Sequence, residues 1–101
     1  MAMAEKDLPR SKVTDFCKRW KVTEFGLFGS VLRPDFHTGS DIDVLVTFAP
    51  DATWTLFDFV TMQDELIEIF RRDVDLVERD TLRNPFRRRA ILNNLQVIYA
   101  A

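Results

Sequence analysis

The chain has 101 residues with a net charge of −2 and a pI near 5.3, a balance that argues against general nucleic-acid binding. Its length suits one domain, over residues 1–101, and a hydrophobic content of 47% is enough for a slim core. The single cysteine, Cys17, excludes an internal disulfide. Neither a signal peptide nor an apolar stretch of ~20 residues is present, so we expect a cytoplasmic protein with no membrane contact.

The first half of the chain is expected to form one helix and two strands. Residues 11–21 carry apolar side chains at helical spacing, with Ser11 as the N-cap and Cys17 in the core. Residues 23–28 and 41–48 are apolar, rich in β-branched or aromatic side chains and bounded by turn residues. Each of these two segments is therefore predicted to be a strand.

The second half is expected to continue the alternation of helices and strands. A long helix is predicted over residues 53–72, a strand over 73–77, a helix over 84–93 and a last strand over 96–99. The side chains expected on the apolar stripe of the long helix are Leu56, Phe57, Val60, Ile67 and Phe70. Together the elements predict an α/β fold with a small mixed β-sheet packed against helices.

Two carboxylates at the start of the second predicted strand indicate a metal site. Asp41 and Asp43 are two residues apart at the head of an apolar run. Alternate side chains of a strand share a face, so both carboxylates can point to one spot, about 6 to 7 Å apart along the chain. Mg²⁺ prefers oxygen ligands and completes its shell with water and substrate phosphates. The pair is therefore predicted to bind Mg²⁺.

A Gly-Ser pair ahead of these carboxylates indicates a phosphate site. Gly29 follows an apolar strand, and Ser30 begins what reads as a short helical turn. Free N–H groups at a helix N-terminus favour an anion, so we expect Ser30 to bind a phosphate oxygen. Arg33 lies one helical turn beyond and is included among the nucleotide-binding residues. Ser40 is included as well, and its hydroxyl can also orient a carboxylate.

A third carboxylate is expected on the strand over 73–77. Asp75 lies between Val74 and Leu76 inside the apolar run, whereas Asp73 directly follows two arginines and is expected to be solvated. Asp75 is thus the preferred candidate. The competing structural interpretation is a salt bridge from Asp75 to a nearby arginine.

Three segments of the sequence resemble the sequence blocks of minimal nucleotidyltransferases (MNT) of the DNA polymerase β superfamily, the antitoxin type. These segments are 27–30, 40–46 and 74–77, and with their connections they cover roughly the middle two-thirds of the chain. The matching residues are Gly29, Ser30, Asp41, Asp43 and Asp75. Pro34 departs from the sequence pattern of this family. The departure affects the expected shape of the turn and not the carboxylates.

The resemblance implies a fold, an activity and a partner. The fold is the polymerase β-like palm, in a single minimal nucleotidyltransferase domain. The activity is transfer of AMP from ATP to a protein hydroxyl, with Asp41, Asp43 and Asp75 as catalytic and metal-binding residues. Two Mg²⁺ ions about 3.5 to 4 Å apart are expected to stabilise the entering and leaving oxygens. The partner implied is a HEPN-domain ribonuclease toxin, modified on a tyrosine within a hetero-oligomer.

Two other functions share the same site. A small-molecule nucleotidyltransferase, for instance one acting on aminoglycosides, requires an acceptor pocket from a homodimer or a second chain. A catalytically silent antitoxin neutralises its partner by contact alone. The run Arg87-Arg88-Arg89 is too broad for one triphosphate, and a solvated helix face and a surface for a partner protein both remain open for it. Nucleic acid is the less favoured partner.

Overall fold

A computed structural model describes residues 8–29 and 41–101, which form three helices and four strands. The elements are α1 (Arg10–Arg19), β1 (Val22–Phe28), β2 (Ile42–Phe48), α2 (Leu56–Phe70), β3 (Val74–Glu78), α3 (Pro85–Asn93) and β4 (Gln96–Ala100). A 3-10 turn, Arg79–Thr81, joins β3 to the segment before α3. No helix within these two ranges is long and apolar enough to cross a bilayer.

The four strands form one mixed sheet in the order β3-β2-β1-β4. β1 is antiparallel to both of its neighbours, whereas β2 and β3 are parallel and are joined by α2. A parallel pair needs such a crossover connection, which the long helix supplies. The predicted small mixed sheet packed with helices is confirmed.

The main core lies between one face of the sheet and the helices α1 and α2. Alternation along β2 turns Ile42, Val44 and Val46 to this face, where each is at most 1% exposed. Phe16 of α1 and Leu66 of α2 are fully buried against the same face. Burial of each such side chain stabilises the fold by roughly 1.5 to 3 kcal/mol relative to exposure.

The opposite face of the sheet carries a second, smaller core under α3. Phe28 of β1 and Leu45 of β2 pack there with Leu82 and with Ile91 of α3. Gly26 leaves room for this layer, since a Cβ at its position would lie 2.5 Å from Leu95 Cδ1. One face of the sheet is thus covered by two helices and the other by one short helix.

The helix α2 begins later than the predicted residue 53 because its first turn is capped at Thr55. The Thr55 hydroxyl accepts a hydrogen bond from the Asp58 amide, and the Asp58 carboxylate accepts one from the Thr55 amide. This reciprocal capping box satisfies two amides of the helix start. The helix ends at Phe70 because Arg71 adopts a left-handed conformation, with φ 59°.

The predicted apolar face of α2 is wrong for the first half of the helix. Leu56, Phe57 and Val60 are 78%, 84% and 53% exposed. The buried side of the helix instead carries Met62, Leu66 and Phe70, with Phe59 partly buried against the same core. The spacing of this second set also fits a helix face, so apolar side chains occur on two sides of the first turns.

The predicted helix near the N-terminus is confirmed, but its start differs. Its N-cap residue is Pro9 rather than Ser11, which lies inside α1, and no side chain caps the first turn. Cys17 is fully buried in the main core, as expected. This burial raises the pKa of the Cys17 thiol to about 12.

We predict that the buried thiol makes stability fall at alkaline pH. An unfolded cysteine ionises near pH 8.5, whereas folded Cys17 keeps its proton up to about pH 12. The stability linked to this proton is complete below pH 8.5 and is lost as the pH rises towards 12, by up to about 1.4 kcal/mol per pH unit. Urea unfolding of wild type and Cys17→Ala between pH 8 and pH 11 should give a flatter profile for the variant. Parallel profiles would contradict the prediction.

Candidate active site

The register of three adjacent strands assembles the carboxylate site. Asp43 on β2 is the direct partner of Asp75 on β3 and, on its other side, of Phe28 on β1. Neighbouring strands lie about 4.8 Å apart and paired residues turn their side chains to the same face. The Asp43 and Asp75 side chains therefore emerge next to each other, on the face of the sheet that α3 covers.

Asp41 precedes β2 by one residue and is exposed. One residue, Ile42, separates it from Asp43, so an extended backbone brings both carboxylates to the same side. Asp41 and Asp43 each have a further polar or electrostatic interaction in the structure. The site thus has one carboxylate at the strand start, one inside β2 and one on the neighbouring strand.

Gly29 closes the site from the end of β1. Its φ is +73°, a left-handed conformation that L side chains rarely adopt. A Cβ at this position would overlap the Asp43 Oδ2 atom and would lie 3.1 Å from Asp43 Cγ. Glycine is therefore required here for two reasons, the backbone conformation and the close approach of the Asp43 carboxylate.

The donor set suits a hard divalent cation, although the ligands are not drawn together into a metal centre. Within residues 8–29 and 41–101, no three side chains of the Asp, Glu, His or Cys type are grouped closely enough to bind an ion. The neighbours Asp43 and Asp75, together with Asp41, nevertheless offer carboxylate oxygens alone. Such ligands favour Mg²⁺ over softer metals. The residues fit the ion by chemistry and strand register.

Asp75 and Asp73 differ in their place on β3. Asp75 lies within the strand and is exposed, and it forms no ion pair with any residue that the structure describes. Asp73 precedes the strand, and its carbonyl oxygen accepts a hydrogen bond from the Ile42 amide at 2.9 Å. The Asp73 position thus supports the start of the β2–β3 pairing, and Asp75 is the residue aligned with Asp43.

Three of the predicted nucleotide-binding residues lie outside the described residues. They are Ser30, Arg33 and Ser40. Of the predicted phosphate turn, Gly29 alone lies within the described residues, at the end of β1 beside Asp43. The predicted roles of the other three residues stay predictions.

The helix α3 lies on the same face of the sheet as the carboxylates. Its Ile91 packs with Phe28 and Leu45, which share that face with Asp43. Arg87 and Arg89 of this helix are exposed. It was not predicted from the sequence that these arginines lie on the same side of the sheet as the carboxylates. The apolar spacing of Ile91, Leu92 and Leu95 is the signal that orients α3.

The fold and the family comparison define the class of this protein as a nucleotidyltransferase. A model of the nucleotidyltransferase domain family matches residues 10–98, which is most of the chain. The chain therefore belongs to the nucleotidyltransferase domain family.

Two curated relatives extend this result. A candidate protein adenylyltransferase of Methanocaldococcus jannaschii, MJ0128, is 32% identical over 92 residues, which cover 89% of this chain and 90% of the relative. The protein adenylyltransferase MntA of Thermococcus cleftensis is 33% identical over 67 residues, which cover 66% of each chain.

Solved structures show the same fold. A candidate minimal nucleotidyltransferase matches with a TM-score of 0.70 and 30% identity, over 86% of each chain. The MNT antitoxin in a complex with a tri-AMPylated HEPN toxin of Shewanella oneidensis matches with a TM-score of 0.67 and 19% identity, over 92% of this chain and 71% of that one. The resemblance to minimal nucleotidyltransferases is confirmed.

We predict that Gly29→Ala impairs nucleotide binding more than it impairs folding. The left-handed conformation costs an L-residue roughly 1 to 2 kcal/mol, and the added Cβ displaces the Asp43 carboxylate. Thermal unfolding and Mg²⁺-dependent ATP titration would measure the two effects separately.

The matched control for this prediction is Gly29→Asn. Asparagine tolerates the left-handed region but still carries a Cβ, so it should recover stability without recovering ATP binding. Wild-type ATP binding by Gly29→Asn would show that the contact with Asp43 is not needed.

Proposed function

We propose that this chain transfers AMP from ATP to a hydroxyl group of a partner protein, a HEPN-type toxin, and thereby acts as the antitoxin of the pair. The observation that carries the proposal is the direct pairing of Asp43 with Asp75, with Gly29 against Asp43. In this arrangement, carboxylate oxygens from two strands lie beside Gly29, which has no side chain to block an approaching phosphate. A polyphosphate and an attacking hydroxyl need such a place to meet.

Each carboxylate has its own role in this proposal. Asp41 and Asp43 bind Mg²⁺ together with the phosphates of ATP, and Asp75 completes the metal site and orients the acceptor hydroxyl. The hydroxyl oxygen attacks the α-phosphorus, the bond from that phosphorus to the bridging α–β oxygen breaks, and pyrophosphate leaves. The Asp75 carboxylate accepts the hydroxyl proton. When bound, Mg²⁺ neutralises phosphate charge and stabilises the leaving oxygens.

Positioning and electrostatics carry most of this reaction. The carboxylates lie on strands of a packed sheet, so their backbone positions are held by the core beneath them. The exposed arginines of α3 lie on the same face and favour an approaching polyanion. The phosphate-binding roles predicted for Ser30, Arg33 and Ser40 belong to this proposal.

The identity of the partner rests on relatives. Two curated relatives are named for protein adenylyltransfer, and one solved relative is an MNT antitoxin with an AMPylated HEPN toxin. We extend this partner to the present chain and propose a tyrosine as the acceptor, within a hetero-oligomer.

We predict that Asp75→Asn separates binding from chemistry. The variant keeps the volume of the side chain but loses the charge that orders the hydroxyl and takes its proton. ATP affinity should change by less than about tenfold, whereas transfer should fall by at least about a hundredfold. Calorimetric titration with a non-hydrolysable ATP analogue and a transfer assay with the toxin partner would measure the two quantities.

The matched control for Asp75→Asn is Asp73→Asn, two residues away and also exposed. This variant should retain both ATP binding and transfer, because only the Asp73 carbonyl has a partner in the sheet. Equal loss of transfer in the two variants, or unchanged transfer in Asp75→Asn, would remove Asp75 from the mechanism.

One labelling experiment distinguishes the proposed function from its two rivals. Wild-type protein, Mg²⁺ and ATP labelled at the α-phosphate are incubated with a co-purified HEPN partner, and separately with an aminoglycoside. Label on the partner supports the proposal, and label on the aminoglycoside alone supports small-molecule transfer. A tight complex with no label on either acceptor would identify a silent antitoxin.

A further inference from the structure

The first turns of α2 carry an apolar patch that is largely exposed to solvent. Leu56, Phe57 and Val60 expose 78%, 84% and 53% of their surface on adjacent positions of the helix. We call these three residues the α2 patch. A cluster of large exposed apolar side chains typically marks an interaction surface, whereas single ones need no explanation.

An apolar cleft begins directly beside the α2 patch. It has a volume of about 480 Å³ and lies between the start of α2 and strand β3, with walls from Trp54, Leu56, Phe59 and Leu76. A second cavity of about 270 Å³ shares Trp54, Phe59 and Glu78 with it, so the two are neighbours. Side chains of a bound segment could enter this cleft while its backbone lies along the α2 patch.

The wall of the cleft is held in place before any partner binds. The Trp54 indole donates a hydrogen bond to the Trp20 carbonyl oxygen at 2.9 Å and meets the Trp20 ring edge-to-face at 5.0 Å. Trp54 and Phe59 flank the Thr55–Asp58 capping box at the two positions of a hydrophobic staple. A preorganised wall lowers the entropy lost on binding.

The charge around the cleft is negative. Glu78 lines the cleft and Asp80 lines the smaller cavity beside it, and none of the residues lining the two cavities is basic. The neighbouring Arg79 instead forms an ion pair with Glu24 of β1, at 3.4 Å. An apolar cleft with an acidic rim is complementary to apolar side chains flanked by lysine or arginine.

We propose that the α2 patch and this cleft dock a basic amphipathic segment of the acceptor protein. The inference rests on the proposed function, because the same strand β3 that lines the cleft carries Asp75. Glu78 and Asp75 are three residues apart on that strand, about 10 Å, and their side chains point to opposite faces of the sheet, so a partner bound in the cleft reaches Asp75 around the outer edge of β3. Docking here would hold the acceptor at the edge strand that carries Asp75.

A second copy of the chain fits this surface less well. A stable interface covers roughly 800 Å² on each partner, far more than three exposed side chains provide. Self-association through the α2 patch would also bring the acidic rims of two copies together. The patch is instead the size that one helix with apolar residues at i and i+4 covers.

The test uses a fluorescein-labelled amphipathic peptide of about three or four helical turns, with leucine and phenylalanine on one face and lysines at both ends. It contains no serine, threonine or tyrosine, and neither ATP nor Mg²⁺ is present. Anisotropy should show binding to wild type, weakened at least about tenfold by Phe57→Ser. Phe86→Ser is the matched control, since Phe86 is 85% exposed on α3 and lies outside the α2 patch, and it should bind as wild type does.

Each other outcome overturns the proposal. Equal binding of a peptide with glutamates in place of the lysines would show that the acidic rim does not contribute to binding. Equal loss of peptide binding in Phe57→Ser and Phe86→Ser would show that the α2 patch is not the docking site. If sedimentation of the chain alone showed a dimer that Phe57→Ser dissociates, the occupant of the surface would be a second copy of the chain. Circular dichroism of both variants checks that they fold.

The experiments distinguish a failure of the proposed docking site from a failure of the proposed function. Peptide binding without AMP transfer to a partner would leave the docking site standing and refute the proposed function. Transfer that is unaffected by Phe57→Ser, together with no peptide binding, would refute the docking site alone.

Discussion

The parallel pairing of β2 with β3 is the constraint on which the site depends. It sets Asp43 opposite Asp75, and the hydrogen bond from the Ile42 amide to the Asp73 carbonyl oxygen fixes this register at its first residue. A shift by one residue would turn the Asp75 side chain into the main core and Val74 to the other face. The apolar residues that alternate with the two aspartates therefore hold the register of Asp43 and Asp75 as well as the fold.

Much of the fold could be predicted because each strand has a simple period. Residues that alternate with Asp43 are buried in the main core, so the pattern of β2 was readable from the sequence. The close approach of Gly29 to Asp43 could not be predicted from the sequence, since it depends on the register between β1 and β2. Gly29 was predicted from the sequence to belong to a phosphate-binding turn, and this stays a prediction; its close approach to the Asp43 carboxylate depends on the pairing of the strands.

The face of α2 shows where a helical pattern alone is ambiguous. Its first turns carry apolar side chains on two sides, and both sets fit helical spacing. The face that packs on the sheet, with Met62 and Leu66, was decided by the crossover geometry between β2 and β3. Phe57 was assigned to the wrong side for this reason. A tertiary constraint overrode a local pattern, and the residues left outside belong to a surface rather than to a core.

The position of β3 has a consequence for access. In the described part of the chain this strand is the outermost of the sheet, with β2 on one side only. Asp75 is thus carried at a rim of the described sheet, and its side chain is exposed to solvent. A group on the surface of a larger molecule could reach such a rim from the side of the sheet.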